Sequence, residues 1–271
     1  MISTSSIVCM GISAGISIFL PVVLFIIFNK KYDGRAVPAF VGAGAFILFS
    51  LILQRIALGL FGINSQEAVK EMVKSSPAKY IIIVIFMAGI FEESARFISF
   101  KLLKNRYGGV NNALTYGVGH GGVESTIFVG LAMLNNIVLS LTINNSGLEI
   151  AGENFESLYD FYLKTAALQP FVFLISGIEQ IFALTIQISF SVLVYYAAVQ
   201  RKKWWLYPLA ILLHAAINIP AALSQADILN NTFIIEGILL VCAVVIAVFA
   251  FFIHGKFKEP DIKNAVIPPL S

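Results

Sequence analysis

Charge is what this sequence has least of: Asp, Glu, Lys and Arg make up 12% of its 271 residues, while 58% are hydrophobic. Soluble domains carry roughly 25% charged residues. So little charge cannot solvate a globular surface, which excludes a soluble enzyme and leaves a polytopic membrane protein. The net charge of +3 is too small to argue for a nucleic-acid partner. Cysteine is nearly absent, and Cys9 and Cys242 both fall in apolar runs, so a structural disulfide is not expected. Asp33, Asp160, Asp227 and Asp261 all lie outside the apolar runs, so no aspartyl dyad is available within the membrane. His120 is followed by Gly121 and Gly122, which rules out H-E-x-x-H. The first residues, MISTSSIVCM, lack the basic start of a cleavable signal peptide, and the first helix is expected to be retained. One G-x-S-x-G match, Gly11 to Gly15, sits inside an apolar run rather than at a strand-to-helix elbow. Those glycines are expected to form a small-xxx-small packing face instead.

What is present is a set of long apolar runs. A bilayer takes about 20 helical residues to cross, and runs of that length fall near 6–28, 37–60, 79–103, 111–142, 168–199, 204–223 and 232–254. The fold expected is therefore all-α, a membrane helical bundle of about seven transmembrane helices. Residues 1–271 read as a single domain, with a motif-bearing core at about 79–223. Basic residues alternate by side. Lys30, Lys31 and Arg35 follow the first run, Lys101, Lys104 and Arg106 the third, Arg201, Lys202 and Lys203 the fifth, and Lys256 and Lys258 the last. The loop at 143–167 is acidic, with Glu149, Glu153, Glu156 and Asp160 against Lys164. By the positive-inside rule the protein belongs in the cell membrane with its N-terminus outside and its C-terminus cytoplasmic. Trp204, Trp205 and Tyr207 then fall where an interfacial aromatic belt belongs. In the 143–167 loop, Phe155, Leu158, Tyr159 and Tyr162 recur at helical spacing, as either a membrane-lying lid or an ordinary surface helix.

The run at 79–103 carries the charge that is scarce elsewhere. Glu92, Glu93 and Arg96 lie near its middle, where each ionised side chain costs about 2.5–3.5 kcal/mol on the insertion scale. They cannot face lipid, and must pair inside the bundle or line a wet cavity. Arg96 is four residues after Glu92 and three after Glu93, within reach of both on one helix face. Two further pairs share the four-residue spacing, His120 with Glu124 and His214 with Asn218, while Glu179 and Gln180 are adjacent in the fifth run. Counted from the basic ends, Glu92, His120 and His214 all lie roughly 14–17 Å deep at about 1.5 Å per residue. One level of the membrane thus gathers carboxylates, imidazoles, a guanidinium and an amide. Gly117, Gly119, Gly121 and Gly122 thin the helix around His120, permitting close approach by either a neighbouring helix or a substrate backbone.

At these residues the chain resembles the glutamate-type intramembrane proteases. Glu92-Glu93-Ser94-Ala95-Arg96, Gly119-His120-Gly121-Gly122-Val123-Glu124 and His214-Ala215-Ala216-Ile217-Asn218 look like the three ordered motifs of the CAAX prenyl protease and bacteriocin-processing (CPBP) group, the PrsW-like proteases and, most nearly, the bacterial YhfC family. The likeness covers roughly residues 80–220. CAAX-type first motifs place the Arg one residue later, whereas the spacing here is that of PrsW with Arg96 in place of Lys. The second motif holds both a His, as CAAX-type members use, and a Glu, as PrsW-like members use.

The resemblance implies an intramembrane peptidase acting on a peptide or transmembrane protein, with Glu92, Glu93, Arg96, His120, Glu124, His214 and Asn218 as its catalytic set. In the leading reading no cofactor is required. Glu92, assisted by His120 or Glu124, takes a proton from water, Glu93 pairs with Arg96, and His214 and Asn218 donate to the oxyanion, a contribution of about 2.7–4 kcal/mol per donor in known cases. The alternative reading is a zinc protease with His120, Glu124 and His214 as ligands. A third reading has no hydrolysis at all, the buried charges serving a proton-coupled transporter or an immunity-type binding protein. Paired broken helices and an inverted repeat, which would mark a transporter, are not seen in the sequence.

Overall fold

The computed structural model describes residues 1–256; Lys258 and Asp261 lie outside the described residues. Every described element is helical. The chain begins with α1 (Thr4–Lys31) and α2 (Ala36–Leu60), then the short α3 (Gln66–Ser75) and the long α4 (Pro77–Tyr107). Next come α5 (Val110–Ser146), the surface helix α6 (Phe155–Ala167) and α7 (Pro170–Val199). α8 (Leu206–Ile217), α9 (Ile219–Gln225) and α10 (Thr232–Lys256) complete it. Six spans among the described residues are long and apolar enough to cross a bilayer. The seventh long helix, α4, has 31 residues but carries Glu92, Glu93 and Arg96, so its apolar character is broken where the sequence analysis located the charge.

Local chemistry fixes the ends of these helices. Ser3 caps α1 by accepting from the Ser6 amide at 3.1 Å, and Lys30 and Lys31 close its last turn, where a cation complements the exposed carbonyls. α4 starts on Pro77, whose missing N–H costs nothing at a helix start. It ends on Lys104 and Arg106 before the Gly108-Gly109 turn. Gly109 has φ 107°, a conformation that favours glycine, and its amide donates to the Tyr195 hydroxyl at 2.6 Å.

α7 is the central post of the bundle. From Phe190 to Ala198 every one of its residues is buried. α5 packs along it, and the glycines of α5 make that possible: a Cβ on Gly121 would stand 2.8 Å from the Gln187 Cβ, and one on Gly119 would overlap the Ala39 carbonyl oxygen of α2. The close approach that glycine permits is therefore taken by neighbouring helices.

The Gly11/Gly15 face expected on α1 is not where the helix packs, because nothing lies within 4 Å of a Cβ at either position. The packed stripe is one register over, at Ser13 and Ser17, both fully buried. Ser13 Oγ donates to the Phe173 carbonyl of α7 at 2.5 Å, which occupies it as a structural donor. Small hydroxyl residues thus do the work assigned to glycine.

Two helices depart from regular α geometry beside the charged cluster. α2 widens at Ile47–Leu53 and α5 at Thr126–Gly130 into turns of the i→i+5 type, which recur at functional sites. Phe46 and Phe128 meet edge to face at 6.0 Å between these two distortions. The 143–167 segment forms a surface helix over Phe155–Ala167 with only Thr165 buried, and it reaches the bundle's N-terminus through a Met1 amine to Tyr162 hydroxyl bond of 3.2 Å.

Candidate active site

The three sequence motifs meet. Glu92 and Glu93 are on α4 and His214 on α8, and α5 supplies His120 and Glu124. Glu92 is the centre. Its Oε2 lies 3.2 Å from His120 Nε2, 3.7 Å from Arg96 Nη2 and 3.9 Å from His214 Nε2. Glu93 faces the other way round the same cluster, with Oε1 at 2.6 Å from both Arg96 Nη1 and His214 Nδ1. A carboxylate only accepts, so the 2.6 Å contact places a proton on His214 Nδ1. Arg96, Glu93 and His120 are fully buried. Rings fix the imidazoles: Phe190 stacks on His214 at 5.0 Å and 4°, and Phe46 stands edge-on to His120 at 5.1 Å.

Two residues that the sequence analysis passed over complete the cluster, both from α7. Gln187 Nε2 donates to Glu92 Oε2 at 3.1 Å and to Glu124 Oε2 at 2.5 Å, while its Oε1 accepts from Arg96 Nη2. Ser191 Oγ accepts from Arg96 Nε at 3.3 Å and donates back to the Gln187 carbonyl at 2.8 Å. The signal was there to find: a Gln and a Ser four residues apart, in the middle of an apolar run. One primary amide thereby ties both carboxylates to the guanidinium.

Asn218 stands apart from this network, and it lines both cavities that reach Glu92. One cavity, of about 410 Å³, is bounded by α2, α4 and α9 and includes Ser50, Tyr80, Glu92 and Asn218. The other, of about 150 Å³, lies between α7, α9 and α10 and includes Glu92, Glu124, Glu179, His214 and Asn218. Glu179 is thereby placed on the wall of the smaller cavity, while Gln180 turns away and donates to the Ser176 carbonyl at 3.4 Å. No partner is recorded for Glu92 Oε1 among the described residues, so this residue has one oxygen held and one available where the cavities meet.

The donors close enough together to hold an ion are not the three named in the zinc reading. Donor atoms of Glu92, His120 and Glu124 lie within 4.8 Å of one another, and His214 is not in the group. His214 is held by Glu93 at Nδ1, and its Nε2 stands 3.9 Å from Glu92 Oε2. One imidazole and two carboxylates are a fitting donor set for a divalent transition ion. The buried, unpartnered Nδ1 of His120 and Oε2 of Glu93 leave the cluster with unused ligating and hydrogen-bonding capacity.

Apolar helices long enough to span a bilayer, closed around buried ionisable side chains with cavities beside them, define an integral-membrane protein with a charged centre in its bundle. The chain belongs to the YhfC intramembrane metalloprotease family, which matches residues 16–239. It is similar to the uncharacterized membrane protein YhfC of Bacillus subtilis (strain 168), with 31% identity over 246 residues that cover 90% of this chain and 94% of that one. No solved structure matches the chain.

Proposed function

We propose that this protein hydrolyses a peptide bond of a membrane-embedded or membrane-adjacent substrate, with Glu92 as the residue that accepts the water proton. The observation that carries this reading is the asymmetry of Glu92: Oε2 is fixed by His120 and Gln187, while Oε1 is uncommitted at the junction of two cavities. A base so held is positioned before substrate arrives. Arg96 and Glu93 set the orientation of the helix face, and Glu93 fixes the His214 tautomer. With Nδ1–H given to Glu93, His214 donates from Nε2 to an oxyanion only as the imidazolium. Asn218 reaches the same space as a neutral donor.

A second reading is favoured by charge. Glu92, Glu93 and Glu124 are three carboxylates against the single guanidinium of Arg96, and a divalent ion on Glu92, His120 and Glu124 would cancel the surplus. Such an ion supplies Lewis acidity toward a peptide carbonyl and its attacking water. In this reading Glu92 is a ligand rather than the base, in keeping with the family's description as metalloproteases.

Cleavage of a transmembrane peptide by liposome-reconstituted protein tests both. Glu92→Gln is expected to lower the rate by at least about a hundredfold, the range of a positioned acid–base group, while the variant remains folded in detergent. A fully active variant removes Glu92 from either role. Metal analysis and chelation then separate them: a metal-free preparation indifferent to chelator supports the base, and stoichiometric metal with chelator-sensitive, zinc-restored activity supports the ligand.

The orientation expected from the basic loops belongs to the same proposal. Ile2 and Asn144 exchange two hydrogen bonds of 2.8 Å, so the N-terminus and the acidic 143–167 loop share one face. Arg35 bonds Asn112 at 2.8 Å on the opposite face, where the basic residues collect. The second face is the cytoplasmic one by the positive-inside rule.

A further inference from the structure

The larger cavity has a second charged residue, and nothing in the cluster around Glu92 uses it. Arg55 lies on α2, just past the widened turn, and lines the 410 Å³ cavity. It also lines an adjoining cavity of about 410 Å³ under α3, with Asn64, Gln66 and Lys70. Arg55, Ile63 and Val69 are common to both walls, so the two lie side by side as one recess, its outer part under α3 and its inner part bordered by Glu92. Among the described residues Arg55 has no hydrogen bond or ion pair. Arg55 is exposed and stands five residues from the Leu60 end of α2, where a long basic side chain reaches the interface and its guanidinium is open to an anion entering the cavity.

The recess is polarised. Its mouth carries Arg55 and Lys70, and its only carboxylate is Glu92 at the floor. Between them the wall offers Ser50 and Gln54, one helical turn apart, and Ser50 Oγ is buried without a partner. A fixed row of donors leading from an unpaired cation to a hydrolytic centre is the lining expected of a substrate channel, whose few polar groups set specificity.

We infer that Arg55 is a specificity-determining residue that binds a carboxylate of the substrate, an Asp or Glu side chain on the segment occupying the recess. This rests on the proteolytic reading of Glu92. Arg55 is five residues from the Leu60 end of α2 and Glu92 fifteen from the Pro77 end of α4, both ends being on the face that carries Met1. At about 1.5 Å per helical residue the two are roughly 15 Å apart along the membrane normal. An extended peptide advances about 3.3 Å per residue, so the recognised acid stands about four residues from the scissile bond, on the Met1 side.

The test uses the full chain in liposomes and a set of membrane-spanning peptides, each carrying one Asp, Asn or Lys at one of the first eight positions on the Met1 side. Products are read by mass spectrometry. Wild type is expected to prefer Asp over Asn at about four residues from the cut by about tenfold, the size of a charge-assisted hydrogen bond. Arg55→Gln brings that ratio to about one, and Arg55→Glu turns the preference to Lys. Equal use of Asp and Asn by wild type, or an unaltered ratio in Arg55→Glu, overturns the assignment. So does an acid preference that survives in Arg55→Gln while the variant loses a dependence on phosphatidylglycerol, which would give Arg55 to lipid phosphate. Affinity of the Glu92→Gln protein for the Asp peptide, measured with and without Arg55→Gln, separates this inference from its premise. An Arg55-dependent affinity with no cleavage by wild type keeps the recess and removes the protease, whereas an Arg55-independent affinity removes the recess.

Discussion

Glu92 and Gln187 are two polar residues at one point, and only the first announces itself in the sequence. A carboxylate in a spanning run is conspicuous because lipid cannot tolerate it. A glutamine there is cheaper, and its role becomes visible only when α7 is laid against α4 and α5. The same holds for Arg55, one charge among apolar neighbours whose partner space is created by other helices. Gln187 is nonetheless the residue on which the geometry of Glu92 and Glu124 depends. Gln187→Leu leaves two carboxylate contacts and one guanidinium contact unmade, and each buried partner left unsatisfied costs roughly 1–3 kcal/mol. Unfolding in mixed micelles is expected to show a loss of that order, together with reduced cleavage. A variant as stable as the parent would remove Gln187 as the tie between the carboxylates.

At the scale of elements, the apolar runs and the order of the three motifs were legible because bilayer thickness imposes a length on every span. The boundaries read from the sequence for the fourth run, 111–142, are within a few residues of α5. Which face of a helix packs was not legible. Gly11 and Gly15 look like a packing pair, yet α1 turns Ser13 to α7 and Ser17 to α5, since the register is set by the partner helices and not by the pattern alone. The grouping of Glu92 with His120 and Glu124 was not legible for a related reason: it joins α4 to α5, and no spacing within one helix encodes it. The glycines of α1 and α5 make a paired prediction. Gly119→Ala forces a methyl into the Ala39 carbonyl and is expected to cost about 1–3 kcal/mol as overpacking, measured as a lower unfolding midpoint. Gly11→Ala points into open space and is expected to leave stability unchanged or raise it by up to about 1 kcal/mol, the helix preference of Ala over Gly. If the two variants behave alike, the helix registers described for α1 and α5 are wrong.

For the whole molecule the deciding quantity is sidedness. Cys9 and Cys242 are free and half-buried within spans, so replacing both gives a background for single-cysteine labelling. A cysteine at Asp160 is expected to react with an impermeant reagent in intact cells, and cysteines at Lys30, Lys104 and Lys202 only after lysis. The reverse pattern would invert the molecule and put the Arg55 recess on the cytoplasmic side. The membrane setting was readable from composition, because a chain this poor in charge has few ways to be folded in water, and the helical class from the length of its apolar runs.

Asn218 and Ala221 border both chambers, so the partition beside Glu92 is a stretch of α9, a helix of seven residues. If Glu92 is the reaction centre, a chamber on each side of it does not oblige products to retrace the path of the substrate. In the proteolytic reading the halves of a cut chain are offered separate spaces, one in the recess under α3 and the other beside α7 and α10, so the first fragment need not clear the path of the second.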